Sequence, residues 1–188
     1  MSLFYNAFFI KSKDPTVGFK EKFYRIDYMP ESDWVVCNFG EGFPTGLFEP
    51  VYYFTKEISK KYGETIFICV AERDNQLEYE HSNNGIILRK LTLISDGNQS
   101  TWACDEGEAE DWESSIVFSE TTFKQAIDVM EYEDLPKDEF EKKKIELQSI
   151  WKQRKYIIGD RWPLVDAAIG IAIQNYFKIK MPSSIRQK

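Results

Sequence analysis

The sequence predicts an α+β domain: a mainly antiparallel sheet of about five to six strands covered by helices, with a helical C-terminal third. Three observations predict it. Short apolar and β-branched runs recur between turn residues before residue 118. Asn84-Gly85 and Asp96-Gly97 sit where tight turns between paired strands are wanted. After Ser119 the apolar spacing changes to the helical period. The chain has 188 residues, 43% of them apolar and 15% aromatic, enough for one self-supporting core. That composition excludes a disordered, collagen-like or low-complexity chain. No run of 18 apolar residues is present, so a membrane span is not expected.

Leu3 to Ile10 reads as a strand, and Lys11 to Gly18, with Asp14-Pro15, as a turn or loop. Phe19 to Ile26 is ambiguous between strand and short helix. Trp34 to Phe39 is a strand, followed by a loop carrying Gly40, Gly42, Pro44 and Gly46. Pro50 to Tyr62 has helix chemistry, with Pro50 suited to a first turn and Gly63 to a stop. Thr65 to Ala71 is a continuous β-branched and aromatic run, as a central strand requires. Gln76 to Glu80, Gly85 to Ile94 and Gln99 to Cys104 complete a meander.

Ser119 to Met130 is predicted helical, with Ser119 as its cap and Phe123, Ile127 and Met130 on one face. Pro136 opens a charged helix to about Lys155, with Phe140, Ile145, Leu147 and Trp151 as apolar contacts. Pro163 to Phe177 is apolar on most sides and reads as a buried helix; Asp160 is its candidate cap, and Asp166 suits its positive end. Residues 1–188 are therefore expected to form a single domain: sheet-rich over 1–118, helix-rich over 119–180, with a frayed basic tail over 181–188.

Net charge is −7, unevenly spread. Residues 1–104 carry 11 basic and 14 acidic side chains, residues 105–141 carry 2 and 14, and residues 142–188 carry 11 and 3. The middle segment is thus net −12. Acidic surface repels phosphates, so nucleic acid is not an expected partner. Two readings of the segment stand: a solvated face paired with the basic C-terminal third, or a docking surface for a basic protein. The candidate partner-binding residues are Asp105, Glu106, Glu108, Glu110, Asp111, Trp112 and Glu113. Trp102 and Trp112 flank them, as interface anchors or as core aromatics.

Few patterns carry chemistry. His81, the sole histidine, follows Glu78 and Glu80 and reads as a structural residue at a turn or strand end. Cys37, Cys69 and Cys104 lack CxxC spacing and read as free thiols in a reducing compartment. The carboxylate run lacks EF-hand spacing, so no metal is expected. The loop Gly40–Gly46 lacks a phosphate-cradle ending and carries Glu41, so no nucleotide and no other cofactor is expected. Met1 to Tyr5 lacks a basic stretch leading into an apolar one, so a cytoplasmic location is expected. An enzyme would need Arg89, Asp96 and Asp166 gathered into one cleft. A housekeeping interaction domain is the third reading, and oligomeric state is open.

One resemblance points further. The stretch from Glu49 to Glu113 resembles a group of small acidic bacterial proteins through Tyr79-Glu80-His81, Arg89-Lys90-Leu91, Asp96-Gly97, Trp102, Glu106-Gly107-Glu108 and Asp111-Trp112-Glu113, with Pro163 to Ala168 in addition. Asp111 stands where that pattern has proline. These proteins are similar in size and acidity to immunity proteins of bacterial toxin–immunity pairs. The resemblance implies a cytoplasmic α+β protein without cofactor or catalytic residues that binds a cognate toxin.

Overall fold

The computed structural model describes residues 4–14, 25–28, 33–38, 55–71, 74–97, 99–133, 135–165 and 169–179. The glycine loop 40–46, the first part of the helix expected from Pro50, Asp166 and the basic tail lie outside the described residues.

Among the described residues seven strands form one antiparallel sheet: β1 (Phe4–Lys11), β2 (Arg25–Tyr28), β3 (Trp34–Asn38), β4 (Thr65–Ala71), β5 (Gln76–Asn83), β6 (Ile86–Ser95) and β7 (Ser100–Gly107). Their order is β2-β3-β1-β4-β5-β6-β7. Of the stretch from Phe19 to Ile26, read as strand or short helix, residues 19–24 lie outside the described residues, and Arg25 and Ile26 begin β2. The described residues also form five helices: α1 (Thr55–Tyr62), α2 (Asp111–Ile116), α3 (Glu120–Glu131), α4 (Lys137–Gln153) and α5 (Ile169–Tyr176). The α+β class is as the sequence predicts. No helix among the described residues is long and apolar enough to cross a membrane.

The sheet is buried on both faces, which is why β4 reads as an unbroken apolar run. One face sets Ala7, Phe9, Val36, Ile66, Ile68, Tyr79, Leu91 and Trp102 against Trp112, Tyr156, Ile169 and Ile173. The aromatic rings there meet edge to face, Trp102 with Tyr156 at 4.4 Å and Tyr79 with Trp112 at 5.4 Å. The other face packs Phe8, Ile10, Val35, Cys37, Phe67 and Cys69 under Ile58 of α1. A third cluster joins α3 to α4 through Ala126, Met130, Leu147 and Trp151.

Several local expectations need correction. The helix expected from Pro163 is described only from Ile169 to Tyr176. Asp160 does not cap it; its carboxylate accepts from the Arg161 N–H at 2.6 Å, and its carbonyl accepts from Trp102 N–H at 2.9 Å. Ile145, expected to pack, is 65% exposed. The acidic stretch, read as a loop or edge, contains helix α2. By contrast Ser119 caps α3 as expected, its hydroxyl accepting from Thr122 N–H at 3.2 Å.

Candidate functional site

The acidic segment folds around two buried cations on neighbouring strands. Arg89 of β6 and His81 of β5 are cross-strand partners on the same sheet face. Arg89 is 1% exposed, and its guanidinium uses every side to hold the end of β7 and the start of α2. Nε and Nη2 donate to Glu113 Oε1 and Oε2, each at 2.8 Å, in a two-pronged pair. Nη1 donates to Asp105 Oδ1 at 2.6 Å and to the Glu106 and Gly107 carbonyls at 3.0 and 3.2 Å. Glu113, fully buried, also accepts from Tyr156 Oη at 2.9 Å and from the Glu110 N–H at 2.7 Å, which closes the first turn of α2. Burial opposes the charge on Arg89, but Glu113 and Asp105 outweigh it and raise its pKa.

His81 sits between two carboxylates. Nδ1 is bonded to Glu110, and Nε2 lies 3.3 Å from Glu64 Oε1 without hydrogen-bond alignment. Glu110 also accepts from Tyr79 Oη and from Trp112 Nε1, the latter at 2.6 Å. Burial alone would lower the imidazole pKa; Glu110 and Glu64 more than reverse this and hold it at about 9. The neighbouring His81 imidazolium is the main reason that Glu64 falls to about 2, with Lys11 adding to it against the effect of burial. For Glu110 burial works upward, and its bonds from His81, Tyr79 and Trp112 bring the net shift down.

The sequence-predicted site thus divides. Trp112 and Glu113 are wholly buried and take no part in a surface. Their burial has a physical cause: α2 lays its apolar and cation-paired side on the sheet. Asp105 and Glu110 are largely engaged with Arg89 and His81. Glu106, Glu108 and Asp111 are exposed. Glu106 stands opposite Lys90 in register, but Lys90 is drawn to Glu80 at 3.2 Å. Neither Glu108 nor Asp111 has a cationic partner among the described residues. Among the described residues of the basic C-terminal third, Arg161 and Lys143 pair with Glu133, Lys143 at 3.6 Å, and not with this end.

The candidate enzyme trio does not gather. Arg89 and Asp96 lie toward opposite ends of β6, roughly 20 Å apart at strand rise. Asp96 serves a turn, accepting from Gln99 N–H at 3.0 Å. A cleft of about 620 Å³ opens elsewhere, between α4 and residues 155–162, with Glu133, Arg161 and Trp162 in its wall. On the α1 face, Glu78 is fully buried and neither of its oxygens has a hydrogen-bond partner among the described residues. Burial pushes its carboxyl up to about 9, against the pull of Lys90.

Sequence reasoning missed Glu64, Tyr79 and Tyr156, and missed that His81 is an ion-pair centre. His81 and Glu110 are 29 residues apart and meet only in the folded sheet. A signal for α2 did exist: Glu113 stands three residues after Glu110, the spacing of a capped helix start. No protein-family model, curated protein or solved structure matches the chain.

Proposed function

We propose that this chain is a non-catalytic cytoplasmic protein that binds a basic protein partner through an acidic surface, as an immunity protein does when it neutralises a cognate bacterial toxin. The observation that carries the reading is the row of exposed acids Glu106, Glu108 and Asp111 along the chain where β7 ends and α2 begins, which at Gly107 meets Leu88 of the exposed apolar stretch Ile86–Leu88. An apolar centre with a charged border is the usual anatomy of a protein interface. Buried cations fix the backbone beneath, so the surface is presented without an ordering cost.

The protonation states support the same reading. A general base or nucleophile must be deprotonated near neutral pH. His81 is held as a cation. Burial raises the Cys69 thiol to about 12, and burial with neighbouring Glu106 raises Cys104 to about 11. Burial, reinforced by adjacent carboxylates, also raises Tyr79 and Tyr156. These groups are suited to structure and not to attack.

The test is capture from native host lysate by the tagged chain at low and moderate salt, beside a variant carrying Glu106→Lys, Glu108→Lys and Asp111→Lys. The expected result is one basic protein held by the wild type and released by the reversals, with unchanged thermal unfolding. Equal retention by both chains, or no basic protein on either, would overturn the reading.

A further inference from the structure

The edge of β6 is covered unevenly. β7 pairs with it from Ser95↔Ser100 to Arg89↔Gly107 and then stops. Gly107 explains the stop. Its φ is +86°, and a Cβ there would lie 2.0 Å from the Leu88 carbonyl oxygen, so only glycine allows the chain to turn off against β6 at this point. β6 nevertheless continues through Leu88, Ile87 and Ile86, the last two paired on their other side with Ser82 and Asn83 of β5. These three successive residues are 64%, 36% and 39% exposed from Ile86 to Leu88. A strand end left to water would carry charges or proline there.

Other points of this border are engaged among the described residues. Trp102 of β7 donates to the Asp160 carbonyl and accepts from Gly159 N–H at 2.8 Å, so the 158–160 segment covers that edge. The register shift between Thr92 and Leu93 leaves Ala103 as an extra residue that distorts the ladder beyond it. Arg89 takes the Glu106 and Gly107 carbonyls. Among the described residues no strand pairs with β6 beyond Gly107, and the apolar stretch Ile86–Leu88 lies there next to exposed Glu106 and Glu108.

We propose that the partner is held by strand addition: an extended basic segment pairs with β6 along Ile86–Leu88, in the row that β7 vacates, and sets lysine or arginine side chains against Glu106 and Glu108. This rests on the acidic-surface reading above and specifies how the partner is gripped. Main-chain bonds to an open edge supply affinity, and alternate side chains supply selectivity. Charge decides between occupants. Glu106 and Glu108 are both acidic, and a basic strand gains from both, whereas a second copy paired antiparallel would offer them only the Gly85 end of its own strand with the single cation Lys60. Lys60 of α1 lies over the Gly85 turn, so the acidic end of the site is the Gly107 end.

The experiment uses the full ¹⁵N-labelled chain and three synthetic peptides: alternating lysine and valine, the same peptide N-methylated at alternate residues, and alternating glutamate and valine. The lysine peptide is expected to bind saturably, slow amide exchange at Ile86–Leu88 and shift Glu106–Glu108. N-methylation, or Glu106→Lys with Glu108→Lys in the protein, is expected to weaken it about tenfold or more. The glutamate peptide is expected not to bind. Equal binding of the N-methylated peptide, with shifts confined to residues 105–111, would overturn strand addition and leave the acidic-surface reading standing. So would absence of lysine-peptide binding while host-lysate capture still responds to the charge reversals. Failure of both experiments would overturn both. A dimer in sedimentation that Ile87→Asp splits would assign the edge to a second copy and overturn the basic-strand proposal.

Discussion

Replacing Arg89 by methionine removes the cation on which the end of β7 and the start of α2 converge. The methionine keeps the apolar stem but deletes two bonds to Glu113, one to Asp105 and two to backbone carbonyls. Glu113 then remains wholly buried, with only Tyr156 Oη and the Glu110 N–H to solvate its charge. Removing one member of a buried ion pair costs about 3–5 kcal/mol, chiefly through the charge left behind. For a chain of this length each kcal/mol moves the midpoint by about 2–4 °C, so a fall of about 6–20 °C is expected. Thermal and urea unfolding at pH 7, followed by circular dichroism, measure it. The milder Arg89→Lys keeps the charge but loses the fork, and should fall between wild type and methionine. The diagnostic comparison is Arg89→Met with Glu113→Gln. If the orphaned charge dominates, the double variant is more stable than Arg89→Met alone by about 1–2 kcal/mol. A methionine variant within about 1 kcal/mol of wild type, or strictly additive losses in the double variant, would refute the reasoning.

Three further outcomes are expected. His81, raised from 6.5 to about 9, should stay protonated at pH 7.5 in ¹⁵N side-chain spectra; its stabilisation is full below pH 6.5 and is lost as pH rises through about 9, and titration near 6.5 would contradict the two-carboxylate clamp. Glu78, raised from 4.5 to about 9, binds a proton when folded that the unfolded chain has released, so it lowers stability progressively between those values; Glu78→Gln should match wild type near pH 4 and exceed it at pH 8 in urea unfolding, and a loss at both pH values would contradict the unpartnered carboxyl. Gly107→Ala should destabilise by more than Gly63→Ala, because Gly63 (φ +93°) meets nothing within 4 Å and pays only for backbone conformation, about 1 kcal/mol, whereas Gly107 also drives a Cβ into the Leu88 carbonyl; equal losses in chemical denaturation would show that the close approach does not matter.

The sheet was largely legible in the sequence because its signals are local. Thr65–Ala71 is a strand whichever way the rest folds, and Asn84-Gly85 permits only a tight reversal. The Ser119 cap and the Phe123, Met130 and Trp151 spacing identified α3 and α4 for the same reason. The site was legible only as composition. A carboxylate run looks alike whether its members face water or a buried guanidinium, and the cations that decide the matter, His81 and Arg89, lie on other strands. Trp112 illustrates the ambiguity: an indole beside four acids is equally an interface anchor or a core ring, and only α2 packing on Tyr79 makes it the latter.

A single extra residue separates the inward carboxylates from the outward ones. Trp102 lies in the core face, and strict alternation would send residues 104 and 106 to that face and 105 away from it. The register runs otherwise: Leu93 pairs with Trp102, Thr92 with Cys104, and Leu91 with Asp105, so Ala103 is bulged and the parity reverses. Asp105 thereby reaches Arg89, and Glu106 is turned to the opposite face, where it is exposed. On β6 the shift between His81 and Ser82 likewise leaves Leu88 as the extra residue, beside the point where Gly107 ends the pairing. The two bulges therefore frame the network and the proposed docking edge together. It follows that charge changes at Asp105, Glu110 and Glu113 act on folding, whereas those at Glu106, Glu108 and Asp111 leave the buried cations satisfied. A binding defect confined to the second group, at unchanged stability, is what distinguishes a surface that recognises a partner from a surface that merely closes the fold.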